Sequence, residues 1–246
     1  SQKGFGILLS ALRADNMDFR SDRYVSESAL NINYLPSLTR QHAYALSAFY
    51  PYASQNNGQM SFQGQVNYKI KKSTVLGGKY GMDLALNYSR VFDIQKTAID
   101  ENTSIGQTGT DGYKSSFFDI GKTVLFEDFN IEVGKKINNR LKFIFDYIYL
   151  TYNKDVLEGH PGAPTVYAHI SILDIAYKIN DNNSIRFEIQ QLETKQDMGS
   201  WANASFEYTI APKWFISAGD TYNYGNEESS KRIHYYNASI GFVKNT

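Results

Sequence analysis

Residues 59–70 read QMSFQGQVNYKI, and residues 80–92 read YGMDLALNYSRVF. In both stretches every second residue is apolar, aromatic or glycine, with Arg90 as the interruption, and the residues between are mostly amides, hydroxyls and charges. A period of two sends alternate side chains to opposite faces of a β-strand. The runs Met60–Ile70 and Tyr80–Phe92 cover 11 and 13 residues. A strand that crosses a bilayer at a tilt needs roughly 9–11 residues, whereas soluble strands most often have about 5–6.

Composition narrows the class of protein. The chain has 246 residues with 25 basic and 25 acidic side chains, so net charge does not indicate a nucleic-acid partner. It has no cysteine, which excludes disulfides and thiolate chemistry. Mean hydropathy is negative and no run of 18 apolar residues occurs, which excludes a transmembrane helix but suits a barrel with a polar interior. The 19 tyrosines and 15 phenylalanines suit strands and membrane interfaces.

The same alternation recurs along the chain and predicts about eleven strands, with no convincing helix. The predicted strands are Gly4–Arg13, Gln41–Tyr50, Gln59–Ile70, Tyr80–Phe92, Thr123–Lys136, Leu141–Tyr152, Pro164–Ile179, Ile185–Gln190, Ala202–Ile210, Trp214–Tyr224 and Ile233–Val243.

Short turns and longer polar loops alternate between these strands, as in outer-membrane barrels. Asn138–Asn139, Asn180–Asn183 and Ala211–Lys213 are short, whereas Asp93–Phe117 is long and polar. The alternation fails at Ala14–Arg40, which it assigns to the short-turn side. Two explanations stay open for that segment: a hidden strand near Ala29–Tyr34, or a segment that folds into the lumen.

We therefore predict an all-β fold, an antiparallel up-and-down transmembrane β-barrel formed by one domain over residues 1–246. The alternative is a soluble antiparallel sandwich or barrel, which alternates in the same way. Strand length, aromatic content and unequal loops favour the membrane. In hydrocarbon each unpaired backbone group costs several kcal/mol, so the sheet must close by itself, with further strands or against a partner.

The two faces of the predicted strands give two sets of candidate site residues. The lipid-facing candidates are Met60, Phe62, Val66, Tyr68, Leu84, Leu86, Phe187, Ile189, Phe206, Tyr208, Ile240 and Phe242. The lumen-lining candidates are Gln63, Gln65, Lys69, Lys79, Asp83, Asn87, Arg186, Glu188, Gln190, Asn203 and Glu207.

Four segments carry a resemblance to a known family. They are residues 34–44 (YLPSLTRQHAY), 76–82 (LGGKYGM), 214–225 (WFISAGDTYNYG) and 234–242 (HYYNASIGF). Taken together and in this order, they resemble a large, uncharacterised outer-membrane β-barrel family of Bacteroidota, known mainly as a domain of unknown function. The resemblance implies location and architecture, and it supplies no catalytic or binding residues. It also implies a longer family chain, of which this sequence is expected to be a C-terminal portion.

No motif in the sequence indicates an active site, so we predict a protein that is not an enzyme and uses no cofactor or metal. His169 and Ser171 share one face of a strand, and this pair is the only feature of the sequence that supports a hydrolase. The acidic pairs Asp100–Glu101 and Glu227–Glu228 lack the spacing of a calcium loop. The aromatic residues Trp214, Tyr222, Tyr224, Tyr235 and Tyr236 are interpreted as an interfacial girdle, with sugar stacking as the alternative.

Two functions follow from the polar predicted interior. The first hypothesis is a porin-like or ligand-conducting barrel in the bacterial outer membrane. The second is a structural or accessory barrel subunit of a larger outer-membrane assembly. The expected partners are outer-membrane lipid and other envelope proteins, with no nucleic acid.

Overall fold

Ten strands form one antiparallel sheet in which the spatial order follows the order along the chain. The computed structural model describes residues 4–22, 24, 30, 32 and 34–244. The strands are β1 (Phe5–Ala14), β2 (Gln59–Ile70), β3 (Met82–Ile94), β4 (Ile120–Lys136), β5 (Leu141–Tyr152), β6 (Val166–Lys178), β7 (Asn183–Glu193), β8 (Trp201–Ile210), β9 (Trp214–Tyr222) and β10 (His234–Phe242). The helical elements of the described chain are one short helix, α1 (Lys154–Leu157), and two 3-10 turns, Leu46–Ala48 and Ser229–Lys231.

The predicted all-β, antiparallel up-and-down fold is confirmed. Strands β2 and β5 have the bounds that periodicity predicts, and the ends of the other predicted strands, one excepted, differ by at most three residues. This agreement has a simple cause. A long alternating run with amide and hydroxyl residues on one side satisfies an antiparallel ladder along its whole length.

The exception is Gln41–Tyr50, where the prediction of a strand is wrong. This segment contains the 3-10 turn Leu46–Ala48 and joins no ladder of the sheet. Within the part of the chain that the structure describes, the sheet therefore has ten strands rather than eleven. The further strand considered near Ala29–Tyr34 falls largely outside the described residues, because positions 29, 31 and 33 are not among them.

Removing that strand restores the alternation of turns and loops. One end of the sheet, here called the turn end, carries the connections 71–81, 137–140, 179–182 and 211–213. The other, the loop end, carries 15–58, 95–119, 153–165, 194–200 and 223–233. The segment 14–40, which alternation from the predicted strands assigns to the turn end, belongs, apart from Ala14 at the end of β1, to the longest connection of the loop end.

Each strand contributes to two chemically different faces. We call the face against which residues 39–52 pack the inner face and the opposite one the outer face. One row of the outer face, set by the register of β3 to β7, consists of Leu84, Val133, Phe145, Leu173 and Ile189. One row of the inner face, three positions further along β3, changes along its length from Asn87 and Asn130 to Ile148, Ile170 and Leu192.

The sheet is open. Its order runs from β1 to β10, and no pairing joins these two strands within the described residues. Both are hydrogen-bonded on one side, to β2 and β9 respectively. Closure, which the barrel prediction requires, is therefore not a feature of the described sheet.

The two faces predict different responses to the same substitution. Ile170 on the inner face is fully buried, whereas Ile189 on the outer face is 55% exposed. We expect Ile170→Ala to lower the free energy of unfolding by about 2–5 kcal/mol, because the packed interior leaves a cavity that cannot collapse. The matched variant Ile189→Ala is expected to lower it by about 1 kcal/mol or less, since surrounding solvent or lipid fills the gap. Unfolding in one detergent measures both, and equal losses would contradict the assignment of the faces.

Candidate functional site

The polar candidates from the sequence lie together on the inner face, with one exception. Lys79 lies in the 71–81 turn, where its ammonium is 5.6 Å from the ring centre of Tyr80. The register places the others on the inner face of four strands, β2, β3, β7 and β8: Gln63, Gln65, Lys69, Asp83, Asn87, Arg186, Glu188, Gln190, Asn203 and Glu207.

The apolar candidates all lie on the outer face. Ile240 is 67% exposed, and Phe187 packs against Phe206 across neighbouring strands with ring centres 5.0 Å apart. The register of β2, β3, β7, β8 and β10 gives this face to Met60, Phe62, Val66, Tyr68, Leu84, Leu86, Phe187, Ile189, Phe206, Tyr208, Ile240 and Phe242. The outer face therefore presents a broad apolar surface with no covering element among the described residues.

The feature that sequence reasoning missed is a segment that crosses the inner face. We call residues 39–52 the inner segment. Its first half is anchored by charge: Arg40 bonds the side chains of Asn130 and Glu132 on β4. The Nε2 atom of His42 lies 2.7 Å from Oδ2 of Asp128, with both side chains almost completely buried.

A network of side chains continues this anchorage across β6 and β7. The hydroxyl of Tyr44 donates to Asp174 at 3.2 Å, and Asp174 also accepts two hydrogen bonds from Arg186. Arg186 in turn contacts Glu188, which accepts a hydrogen bond from Gln190. Charge-assisted bonds of this kind are stronger than neutral ones, so the network fixes the segment against the sheet.

The second half of the inner segment is anchored by packing. The backbone N–H of Leu46 donates to Oε1 of Gln190 at 2.8 Å, and the Leu46 side chain is fully buried. Rings then pair with rings of the sheet: Phe49 with Trp201 at 5.2 Å, Tyr50 with Tyr152 at 5.4 Å and Tyr52 with Phe126 at 5.1 Å. These contacts cover the apolar part of the inner face and form the core of the molecule.

Hydrogen bonds from the tyrosines close the segment at the loop end. Tyr50 donates to Asp197, and Tyr52 donates to Oε1 of Gln59 at 2.6 Å. Burial, together with the Asp197 carboxylate, raises the pKa of Tyr50 well above its usual range, so the phenol stays neutral and keeps its proton. Asp197 also binds Lys154 at the start of α1, which links the segment to two further loops.

The sequence did contain a signal for this segment. Strands β5 and β6 have apolar residues on both faces, including Ile148, Leu150, Ile170 and Ile172 on the inner one. A strand that is apolar on both faces is covered on both faces. Such a strand is inconsistent with an interior that is wet along its whole length, and it indicates that another part of the chain covers it.

The space beside the inner segment is small. A cavity of about 250 Å³ is lined by Thr39, Arg40, His42, Tyr50 and Phe126, among others. The inner faces of β4 to β7 carry five carboxylates and Arg186, next to Arg40 and His42 of the segment. These carboxylates belong to Asp128, Glu132, Asp146, Asp174 and Glu188.

The aromatic residues interpreted as a girdle divide between two environments. Trp214, Tyr222 and Tyr236 lie on the outer face, where Trp214 packs against Phe242 with ring centres 4.6 Å apart. Tyr235 lies on the inner face, 5.8 Å from Trp201, so the interpretation is wrong for that residue. Two further tyrosines of the outer face, Tyr147 and Tyr149, flank His169 on the same face.

The arrangement of side chains around His169 gives little support to the hydrolase hypothesis. Nδ1 of His169 is hydrogen-bonded to the hydroxyl of Tyr147 at 2.7 Å, rather than to Ser171. Among the described residues, no group of three or more histidine and acidic side chains has an arrangement that could hold a metal ion.

The anchoring of the inner segment can be tested at its buried pair. Removal of the imidazole in His42→Ala leaves the Asp128 carboxylate, whose Oδ1 already lacks a partner within the described residues, with no donor at either oxygen. We expect a loss of about 2–4 kcal/mol in unfolding free energy and faster trypsin cleavage after Arg40.

The double variant His42→Ala/Asp128→Ala should lose less than the sum of the single variants, because no buried carboxylate remains unpaired. His160→Ala, in an exposed loop, is the matched control and should change stability by about 0.5 kcal/mol or less. Equal effects of the two histidine substitutions would contradict the anchor.

Comparison with known proteins places this fold in a family. None of the helices formed by the described residues has the length and apolar character needed to cross a membrane. Comparison with curated proteins finds no match. A model for a family of unknown function, DUF6029, matches residues 1–246. The chain therefore belongs to the DUF6029 family of proteins.

Proposed function

We propose that this chain forms the wall of a porin-like β-barrel in the bacterial outer membrane, and that the inner segment narrows its path. The observation that carries the proposal is the contrast between the two faces of one sheet. The outer face is apolar and uncovered across the described strands, whereas the inner face is polar or covered by the inner segment. Each large apolar side chain moved from water into hydrocarbon contributes about 1.5–3 kcal/mol, so the outer face favours a bilayer strongly.

The dimensions of the apolar surface support this proposal. On β5 it extends from Leu141 to Tyr149. Eight steps at about 3.3 Å give about 26 Å along the strand, or about 20 Å across the bilayer at a tilt of about 40°, which is of the same order as the apolar band of about 25 Å in outer-membrane barrels. Aromatic rings lie at both ends of this band, with Tyr149 and His169 towards the loop end and Trp214 and Phe242 at the turn end.

The contacts of the inner segment suit a constriction of the barrel interior better than a segment that only fills space. Its first half is held by charged side chains, and two of them, Arg40 and His42, line the 250 Å³ cavity. The carboxylates on the inner faces of β4 to β7 outnumber the cations beside them, which favours small cationic or polar solutes over anions. The proposal includes no catalytic residue and no cofactor, and lipid is the first partner. Outer-membrane location, and the Bacteroidota origin that the resemblance implies, are parts of the same proposal.

Insertion and conduction are measured separately. The full chain is refolded with phosphatidylcholine vesicles and tested by flotation and by resistance to alkaline extraction, which reports membrane insertion alone. Single-channel recording in a planar bilayer then reports conduction. We expect insertion, with small, cation-selective conductance steps.

The constriction predicts a gain of conductance in a specific variant. Arg40→Ser/His42→Ser/Tyr44→Ser removes the polar anchors of the inner segment and is expected to raise the conductance by about twofold or more, since a released segment widens the path. The control variant, Lys114→Ser/Lys195→Ser/Lys231→Ser, changes three exposed residues of the loop end. It is expected to leave the conductance unchanged. Unaltered conductance in the first variant, with insertion intact, would exclude the inner segment as the constriction.

A second candidate, a structural or accessory subunit of an outer-membrane assembly, is favoured by the two sheet edges. Strands β1 and β10 each leave one edge unpaired within the described residues, and an unpaired edge accepts a strand from another chain. Gentle detergent extraction followed by size measurement separates the candidates. A large complex that conducts no ions supports the second candidate, whereas a conducting monomer excludes it.

A further inference from the structure

The turn end of the sheet is strongly basic. Eleven cationic side chains lie in the turns of this end, within two residues of them or, for Lys244, just after the end of β10, together with two carboxylates, Asp83 and Asp181. All but Lys135 are exposed. We call this set the basic rim: Lys69, Lys71, Lys72, Lys79, Lys135, Lys136, Arg140, Lys142, Lys178, Lys213 and Lys244.

Little of this charge is neutralised. The ion pairs of the rim within the described residues are Lys69 with Asp83, at 3.7 Å and largely exposed, and Lys178 with Asp181 at 3.0 Å. Exposed pairs of this kind contribute about 0–1 kcal/mol and stay open to exchange. Lys135 donates to the backbone carbonyl of Leu76, which leaves its charge uncompensated. The rim therefore presents a large positive field to whatever lies beside it.

The opposite end has the opposite sign. The five connections of the loop end contain twelve carboxylates and eight lysine and arginine side chains among their described residues. Because the whole chain has balanced charge, this separation is invisible in composition and arises only when the fold sorts the connections by end. The basic rim is thus a property of one end of the molecule.

Aromatic and apolar groups accompany the cations. The ammonium groups of Lys79 and Lys136 lie 5.6 and 5.1 Å from the ring centre of Tyr80. A cavity of about 300 Å³ is lined by Lys69, Ile70, Lys71, Lys72 and Tyr80, among others.

A second cavity at the turn end, of about 480 Å³, opens mainly on the inner face and combines five cations with one carboxylate, Glu207. Its cations are Lys136, Arg140, Lys142, Lys178 and Arg186. Both cavities suit an anionic group, and the first places that group next to the apolar side chains of Ile70 and Tyr80.

We propose that the basic rim binds the phosphate headgroups of anionic phospholipids in the leaflet that borders the turn end. This inference rests on the proposed membrane location. The rim follows successive turns along the edge of the sheet rather than forming one compact patch, and it lies directly beyond the aromatic end of the outer face. That arrangement matches the headgroup layer of a bilayer better than it matches a soluble polyanion, and it sets the depth of the sheet in the membrane.

The test uses the full chain in nanodiscs that contain phosphatidylcholine and phosphatidylglycerol. Native mass spectrometry measures which lipid stays bound after release of the protein. We expect phosphatidylglycerol to be enriched, and Lys71→Gln/Lys72→Gln/Arg140→Gln/Lys178→Gln to reduce the enrichment by about tenfold, because each cation near a bilayer surface adds to the attraction. The matched variant, Lys114→Gln/Lys122→Gln/Lys195→Gln/Lys231→Gln, removes four exposed cations at or near the loop end. It should retain the phosphatidylglycerol enrichment.

Flotation with pure phosphatidylcholine vesicles distinguishes the failure of this inference from the failure of the proposed function. Insertion without phosphatidylglycerol enrichment, or equal losses in the two variants, overturns the lipid site and leaves the barrel proposal intact. Absence of insertion overturns both. If glycerol phosphate or polyglutamate displaces the bound lipid completely, the proposal that the basic rim binds lipid headgroups is wrong, because a soluble anion then binds equally well.

Discussion

The alternation of side chains across a hydrogen-bonded antiparallel ladder is the constraint on which the rest of this structure depends. Because the ladder fixes the backbone, the position of each residue along its strand decides which face of the sheet its side chain occupies. Across ten strands this choice is made consistently: Leu84, Phe145 and Ile189 share the outer face, and Asn87, Asn130 and Gln190 share the inner one. A slip of one residue in any pairing would exchange the two chemistries.

The inner segment resolves a conflict that this alternation creates. Strands β5 and β6 place Ile148, Ile170 and Ile172 on a face that is otherwise polar. Apolar surface of that size is unfavourable in water, whereas the neighbouring carboxylates of Asp128 and Asp174 are unfavourable in a dry core. One stretch of chain satisfies both, because its first half supplies cations and donors and its second half supplies leucine and aromatic rings. The result is a sheet with a dry patch and a charged patch on the same face.

The two ends of the sheet add a third kind of order. Antiparallel strands joined by consecutive connections send alternate connections to opposite ends. The fold therefore collects the lysine-rich turns at one end and the carboxylate-rich loops at the other, although the chain as a whole has balanced charge. Electrostatic asymmetry of this kind comes from topology, and it gives the sheet a direction relative to any surface that it meets.

What the sequence by itself determined is the set of strands and the identity of their faces. The bounds of Gln59–Ile70 and Leu141–Tyr152, and the placement of all the lipid-facing candidates on the outer face, follow from local periodicity, which each strand carries in its own residues. Only the tertiary structure decided the role of residues 39–52. Arg40, His42 and Tyr44 alternate as a strand would, because every second side chain does point at the sheet. Their partners, however, are side chains of β4 and β6 that lie about ninety to one hundred and thirty positions away. Periodicity shows which way a side chain points. It does not show whether the backbone pairs in a ladder or the side chain instead binds a distant carboxylate, and that difference separates a strand from the inner segment.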